Sequence, residues 1–87
     1  MKLELSRQAQ EDLVHWTHSD KKTALKIADL LEEISQTPYT GKGKPEPLRH
    51  QLSDYWSRRI NTKDRIVYLV DETTSTIYIA SLRNHYS

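Results

Sequence analysis

The apolar positions of the chain change period twice. In MKLELS, Met1, Leu3 and Leu5 alternate with Lys2 and Glu4, the two-residue period of a half-buried strand ending at Ser6. From Arg7 to about His18 the period lengthens: Ala9, Leu13 and Trp16 stand at i, i+4 and i+7, one face of a helix that Ser6 can cap. A second helix is predicted over SDKKTALKIADLLEEISQ, with Ser19 or Asp20 as N-cap and Ala24, Ile27, Ala28, Leu31 and Ile34 as its inward stripe. Thr37-Pro38 ends it, because the residue before a proline is pushed out of the α region. A short turn makes the pair an αα-hairpin.

Beyond residue 45 the pattern returns to extended segments. EPLRH, YWSRRI, RIVYLVD and TIYIASLR are separated by the turn-prone LSD, NTKD and DETTS, and the last two are rich in β-branched and aromatic residues. Short polar connections predict an antiparallel meander, with one face on the helices and the other open. The expected fold is therefore α+β: an N-terminal strand, a two-helix hairpin, then the meander, as one domain over residues 1–87. No repeat or second domain interrupts it.

Charge adds what hydropathy hides. Formal net charge is +1, yet residues 1–36 hold five cations and seven anions while residues 42–65 hold seven cations and three anions. Such segregation suits a polyanionic partner as well as it suits a solvated loop. The chain has no cysteine, so no disulfide framework and no thiolate zinc site is expected. Lys2, Glu4 and Arg7 break the apolar run at the N-terminus; neither a signal peptide nor a membrane span is expected, and the reading is cytoplasmic.

The basic segment GKGKPEPLRH contains both glycines and a single carboxylate, Glu46. If the meander packs its apolar side on the helices, Glu46, Arg49, Arg58 or Arg59, Arg65 and His85 can converge on the open face. Strand parity puts Arg58 and Arg59 on opposite sides without saying which is which. Cleavage of RNA by internal transesterification needs a base for the 2′-OH, cations for the charged phosphorane and an acid for the 5′-oxygen. A glutamate, guanidinium groups and a histidine are those types. Lys44, Arg49, His50, Arg58 and Arg59 are the candidate phosphate contacts. The plainer readings are a loop salt bridge for Glu46, a solvated basic face for the arginines, an ion pair of Arg65 with Asp64 or Asp71, and core or interface packing for Trp56. His15 and His18, three residues apart without a third ligand, carry no metal site.

KGKPEPLRH, then YWSRRI, an Arg-Ile-Val-Tyr strand and an Asn-His-Tyr terminus resemble the YoeB (Txe) group of RelE-superfamily toxins over nearly the whole chain. The resemblance implies a RelE-like microbial RNase fold and a ribosome-dependent mRNA interferase of a bacterial type II toxin-antitoxin system. It also implies metal-independent A-site cleavage that leaves a 2′,3′-cyclic phosphate, with no cofactor. Carried over residue by residue, Glu46 matches the general base, Arg65 the transition-state arginine and His85 the general acid, with Tyr86 beside it. Arg59 would assist with phosphate, and Arg49 stands where the family commonly has lysine. Ser87 is a departure, since family members commonly stop at the His-Tyr pair. The implied partners are a YefM-type antitoxin, the ribosome with its mRNA, operator DNA only through the antitoxin complex, and a second copy in a homodimer. Two other classes share the fold: a ParE-type gyrase poison, and a non-catalytic module that binds antitoxin and acts as corepressor.

Overall fold

The computed structural model describes residues 1–84; His85, Tyr86 and Ser87 lie outside the described residues. Strand β1 (Lys2–Leu5) leads into helices α1 (Arg7–Ser19) and α2 (Lys21–Gln36), followed by strands β2 (Glu46–Pro47), β3 (Tyr55–Arg59), β4 (Arg65–Asp71) and β5 (Thr76–Ser81). A single 3-10 turn, His50–Leu52, shortens the expected EPLRH strand to its first two residues.

Local chemistry explains the helix ends. The Ser6 side chain accepts the Ala9 N–H at 3.0 Å, and Asp20 accepts the Thr23 N–H at 3.1 Å and its hydroxyl at 2.7 Å. Each satisfies a donor that the first helical turn leaves without an internal partner. At the other end of α2, Thr37 closes the helix through Glu33 O and Pro38 follows.

The sheet order is β1-β5-β4-β3-β2. Strands β2 to β5 form the expected antiparallel meander, but β1 lies parallel to β5, with Leu3 beside Ile77 and Leu5 beside Ile79. The sheet is thus mixed. The helix pair carries the chain from β1 to the far edge at β2, and three reversals through β3, β4 and β5 bring the last strand back beside the first in the same direction, a pairing that a hairpin-based reading does not supply. Ile66, Tyr68, Ile77 and Ile79 share one core with Ala9 and Trp16 of α1 and Ile27, Leu30 and Ile34 of α2. The α2 stripe is rotated from its expected position: Leu30 is buried and Ala28 exposed, so the larger side chain takes the inward place.

Arg58 corrects the sequence reading. It is completely buried, on the same side of β3 as Trp56 and facing the helices, and does not belong to the open face. Its guanidinium donates to Glu33 Oε1 at 2.9 Å, to Lys42 O at 3.3 Å, to Thr40 O at 2.8 Å and to Thr37 O, while its Nε donates to Tyr68 Oη at 3.2 Å. Tyr68 in turn donates to Pro38 O at 2.6 Å, and burial raises its phenol pKa above the ordinary value. A residue offered for phosphate is therefore used up inside, fastening the loop after α2. Gly41 lies so close to this site that a Cβ there would stand 1.8 Å from Glu33 Oε1, and its φ of +120° also calls for glycine.

Replacing Arg58 by Met should lower the free energy of unfolding by about 3 to 5 kcal/mol, because carbonyls and Glu33 lose donors that water cannot easily replace. Arg59→Met should change it by less than about 0.5 kcal/mol. Urea denaturation of both variants measures this difference. The Glu33 carboxyl is held below its ordinary pKa, first by the Lys42 N–H and then by Arg58. A lowered folded-state pKa contributes stability above the unfolded value of about 4.5, lost as pH falls through the folded value. The stability gap between wild type and Glu33→Gln should accordingly be present at pH 7 and shrink below pH 4.5.

Candidate active site

The open face is organised in rows that run across the strands. Register places Glu46 beside Ser57, Ser57 beside Val67 and Val67 beside Ser81. Arg59 lies opposite Arg65, one step further along the same face. The Arg65 guanidinium reaches into the first row, donating to Glu46 Oε1 at 3.0 Å and to Ser57 Oγ at 3.4 Å. Arg65 thus pairs with Glu46 and not with Asp64 or Asp71.

The pair can form because β2 is short and sits at the sheet edge. Pro45 and Pro47 flank Glu46 and have no N–H to lend to a longer ladder, which suits an edge position. Glu46 keeps about half of its side chain in solvent, whereas Arg65 is only 20% exposed. The carboxylate is therefore accessible, and the guanidinium behind it is held in place by the sheet. Two arginines directly opposite each other would repel, and Glu46 neutralises one of them. An anion arriving here meets an excess of one positive charge and a planar donor fork.

The remaining predicted cations divide between two grooves. Arg49 and His50 line a hollow of about 410 Å³ together with Glu46, Pro47, Leu48, Gln51 and Leu52. His50 holds a φ of +61°, which sets the sharp turn at the floor of this hollow. Lys44 and Arg59 line another groove, of about 560 Å³, between α2 and the turn after β3, where Lys26 and Lys42 add charge and Asp29 and Glu33 offset it. Glu46 thus links the two sets, paired with Arg65 on the sheet and sharing the hollow with Arg49 and His50, while Arg59 and Lys44 line the other groove. Arg58 is absent from the site. Trp56 lies on the inward face, its ring 5.0 Å from that of Tyr39 and partly buried against the core, so packing describes it and Tyr55 is the outward aromatic of β3.

Sequence reasoning did not single out the residues that hold the end of the chain. Asp12 is buried in α1 and accepts the Leu82 N–H at 2.9 Å, and Trp16 Nε1 donates to Leu82 O at 2.8 Å. Both backbone groups of Leu82 are therefore gripped by one helix. Two residues on, Asn84 donates its N–H to Asp64 Oδ1 and accepts from the Arg65 N–H at 3.1 Å. Asp64 is itself buried, in a turn where Asn61 Oδ1 accepts the N–H groups of Lys63 and Asp64. The only local signal was Asp12 standing in line with the Ala9, Leu13 and Trp16 stripe; a buried carboxylate needs a donor, and this one finds it 70 residues away.

The predicted His85 and Tyr86 lie outside the described residues, as does Ser87. His15 and His18 do not converge with other ligands: His15 lies edge-on to Trp16, and His18 Nδ1 sits 2.9 Å from Val14 O. Among the described residues no helix is long and apolar enough to cross a membrane.

This sequence and this fold have relatives among known proteins. Toxin YoeB of Escherichia coli K12 is 45% identical over 86 residues, 99% of this chain and all of that protein. A YoeB/ParE toxin from Agrobacterium tumefaciens superposes with a TM-score of 0.94 at 37% identity, covering 99% of this chain and all of that one. YoeB of Staphylococcus aureus has been solved in a heterotetrameric complex with YefM (TM-score 0.86, 42% identity, 99% and 98% of the two chains) and as a dimer (TM-score 0.87, same identity and coverage). The family model for YoeB-like toxins of bacterial type II toxin-antitoxin systems matches residues 5–86, and the chain belongs to that family.

Proposed function

We propose that this toxin is a ribosome-dependent endoribonuclease that cuts mRNA in the ribosomal A site. The observation that carries the reading is the half-exposed Glu46 carboxylate held 3.0 Å from the Arg65 guanidinium on the outward face of the sheet, with Arg59 opposite Arg65. Glu46 takes the proton of a 2′-OH as that oxygen attacks the adjacent phosphorus. Arg65, with Arg59 or Arg49, stabilises the charge that builds on the phosphorane oxygens. The bond from phosphorus to the 5′-oxygen breaks, and His85 returns a proton to that oxygen, leaving a 2′,3′-cyclic phosphate and a 5′-OH. No cofactor or metal has a role in this reading, and Tyr86 completes the site.

The phosphate also releases the base. Arg65 occupies one lobe of the Glu46 carboxylate; an incoming phosphate competes for the same guanidinium and turns it away. The ribosome contributes order, fixing the mRNA so that the 2′-oxygen, phosphorus and leaving oxygen lie in line. Lys44, Arg49, His50 and Arg59 guide the backbone from the two grooves.

Antitoxin control follows from the same surface. A cognate YefM-type antitoxin covers the basic open face with an acidic segment that folds on contact, and operator DNA is bound through that complex. The toxin acts in the bacterial cytoplasm and pairs with a second copy of itself, as its Staphylococcus aureus relative does.

Glu46→Gln should reduce single-turnover cleavage on programmed ribosomes by about 10² to 10⁴-fold, the usual contribution of a general base, while the protein stays folded. Full cleavage by this variant would remove Glu46 from the role. Intact mRNA with wild-type protein, together with inhibition of DNA supercoiling, would instead indicate a gyrase poison. Asp64 should act by holding Asn84, the residue before His85, against Arg65. Asp64→Ala should lower kcat more than it raises KM, and Asp64→Asn, which keeps an oxygen acceptor, should recover much of the loss. Presteady-state cleavage at saturating ribosome concentration separates the two quantities.

A further inference from the structure

A second row of the open face lies next to the Glu46 row. Register places Tyr55 beside Leu69, Leu69 beside Tyr78 and Tyr78 beside Glu4, so the row crosses β3, β4, β5 and β1 on the open side. Tyr55 and Ser57 are two residues apart in β3, about 7 Å at the ordinary strand rise. Ser57 is the register partner of Glu46 and accepts from Arg65. The aromatic row therefore begins one short step from the reacting groups, comparable to the phosphate spacing of an extended nucleic-acid strand.

Tyr55 and Tyr78 bound a depression of about 240 Å³ with Glu4, Leu5, Ser6, Ile79 and Ala80. A β-bulge shapes it. Val67 pairs with Ser81 and Tyr68 with Ile79, leaving Ala80 as the extra residue, and such a bulge bends the strand and increases its twist beside a site. Ser6 then locks the bulge, donating its hydroxyl proton to Ala80 O at 2.8 Å while its backbone N–H donates to Ile79 O at 2.9 Å. Tyr78 is 39% exposed although it lies in an interior strand of the sheet.

The lining is chemically selective. It has two aromatic rings and one carboxylate, and it lacks any Lys or Arg. A phosphate would be repelled by Glu4 and find no counter-charge. A nucleobase fits both features: every base has a face that stacks on tyrosine, and an exocyclic amino group can donate to a carboxylate. Resting on the reading of the open face as an RNA-cleaving surface, we propose that the Tyr55–Tyr78 depression is a base subsite. It takes the base of the nucleotide next to the scissile phosphate and favours cytosine, adenine or guanine over uracil through Glu4.

The test combines protein and RNA changes. On ribosomes programmed with a defined mRNA, Tyr55→Leu and Tyr78→Leu should each lower single-turnover kcat/KM by about 5- to 100-fold, the usual range for a lost aromatic stack, with most of the effect in KM. Removing the base of either flanking nucleotide in turn should identify one position where the tyrosine effect vanishes, because the same contact cannot be lost twice. Glu4→Met, which keeps the length of the side chain and removes the acceptor, should erase a preference for amino-bearing bases at that position and leave uracil unchanged. A binding measurement with mRNA carrying a 2′-deoxy scissile nucleotide, which cannot be cut, should show the same tyrosine dependence. Normal cleavage and binding by both leucine variants, or losses that stay additive with base removal at both flanking positions, would overturn the subsite. So would leucine variants that release a YefM-type antitoxin yet bind mRNA normally. If the wild type neither binds nor cuts the programmed mRNA, the RNase reading itself falls, and the subsite with it.

Discussion

The buried guanidinium of Arg58 sets the shape of the half of the molecule that carries the site. It ties the end of α2, through Glu33 and Thr37, to the following loop at Thr40 and Lys42. Gly43 O then accepts the Arg59 N–H at 2.7 Å, and the chain turns into β2, where Glu46 faces out. A loop with two glycines and two prolines between residues 41 and 47 would otherwise have wide conformational freedom. Arg58 removes much of that freedom from within. Burying a charge of this kind is unfavourable without its partners, and here the guanidinium is matched by one carboxylate, a phenol and three backbone oxygens.

The two neighbouring arginines of YWSRRI therefore have opposite uses. Arg58 organises the loop from the helix side, and Arg59 points outward opposite Arg65. The sequence contained a clue to this division. Trp56, Arg58 and Ile60 share parity, and with a tryptophan and an isoleucine on either side the inward residue should have been Arg58. The caps at Ser6 and Asp20, the stop at Thr37-Pro38, the boundaries of β4 and the start of β5 were legible because they depend on residues within a turn of one another. The parallel placement of β1 and the grip of Asp12 and Trp16 on Leu82 were not, since both join the two ends of the chain. Local pattern says which residues want partners, and only the fold says where those partners are.

The Glu46 and Arg65 pair was foreseen as two separate roles, with resemblance to YoeB-like toxins supplying the assignment. What the fold adds is their contact. A half-exposed ion pair contributes little to stability, so its retention at an open edge needs another explanation than holding the sheet together. A guanidinium that can change partners at low cost supplies one. On the proposed reading Arg65 exchanges Glu46 for a phosphate oxygen without unfolding anything, because its backbone stays in the β3–β4 ladder. An arginine buried as deeply as Arg58 could not make that exchange.

The same division between rigid frame and exchangeable contact extends to the end of the chain. Leu82 is gripped by α1, and Asn84 by Asp64 and Arg65, so the last described residues are anchored at successive points on different elements. Asp64 lies next to Arg65 in sequence and its side chain holds Asn84, whose own carbonyl accepts the Arg65 N–H. The backbone that carries the Arg65 guanidinium is thus the backbone that receives Asn84. A shift in the turn at residues 61–64 would move both together, and the relative placement of Arg65 and Asn84 would be preserved. On the proposed reading that relative placement matters because the 2′-oxygen, phosphorus and leaving 5′-oxygen must lie in line while base and acid flank them at fixed positions.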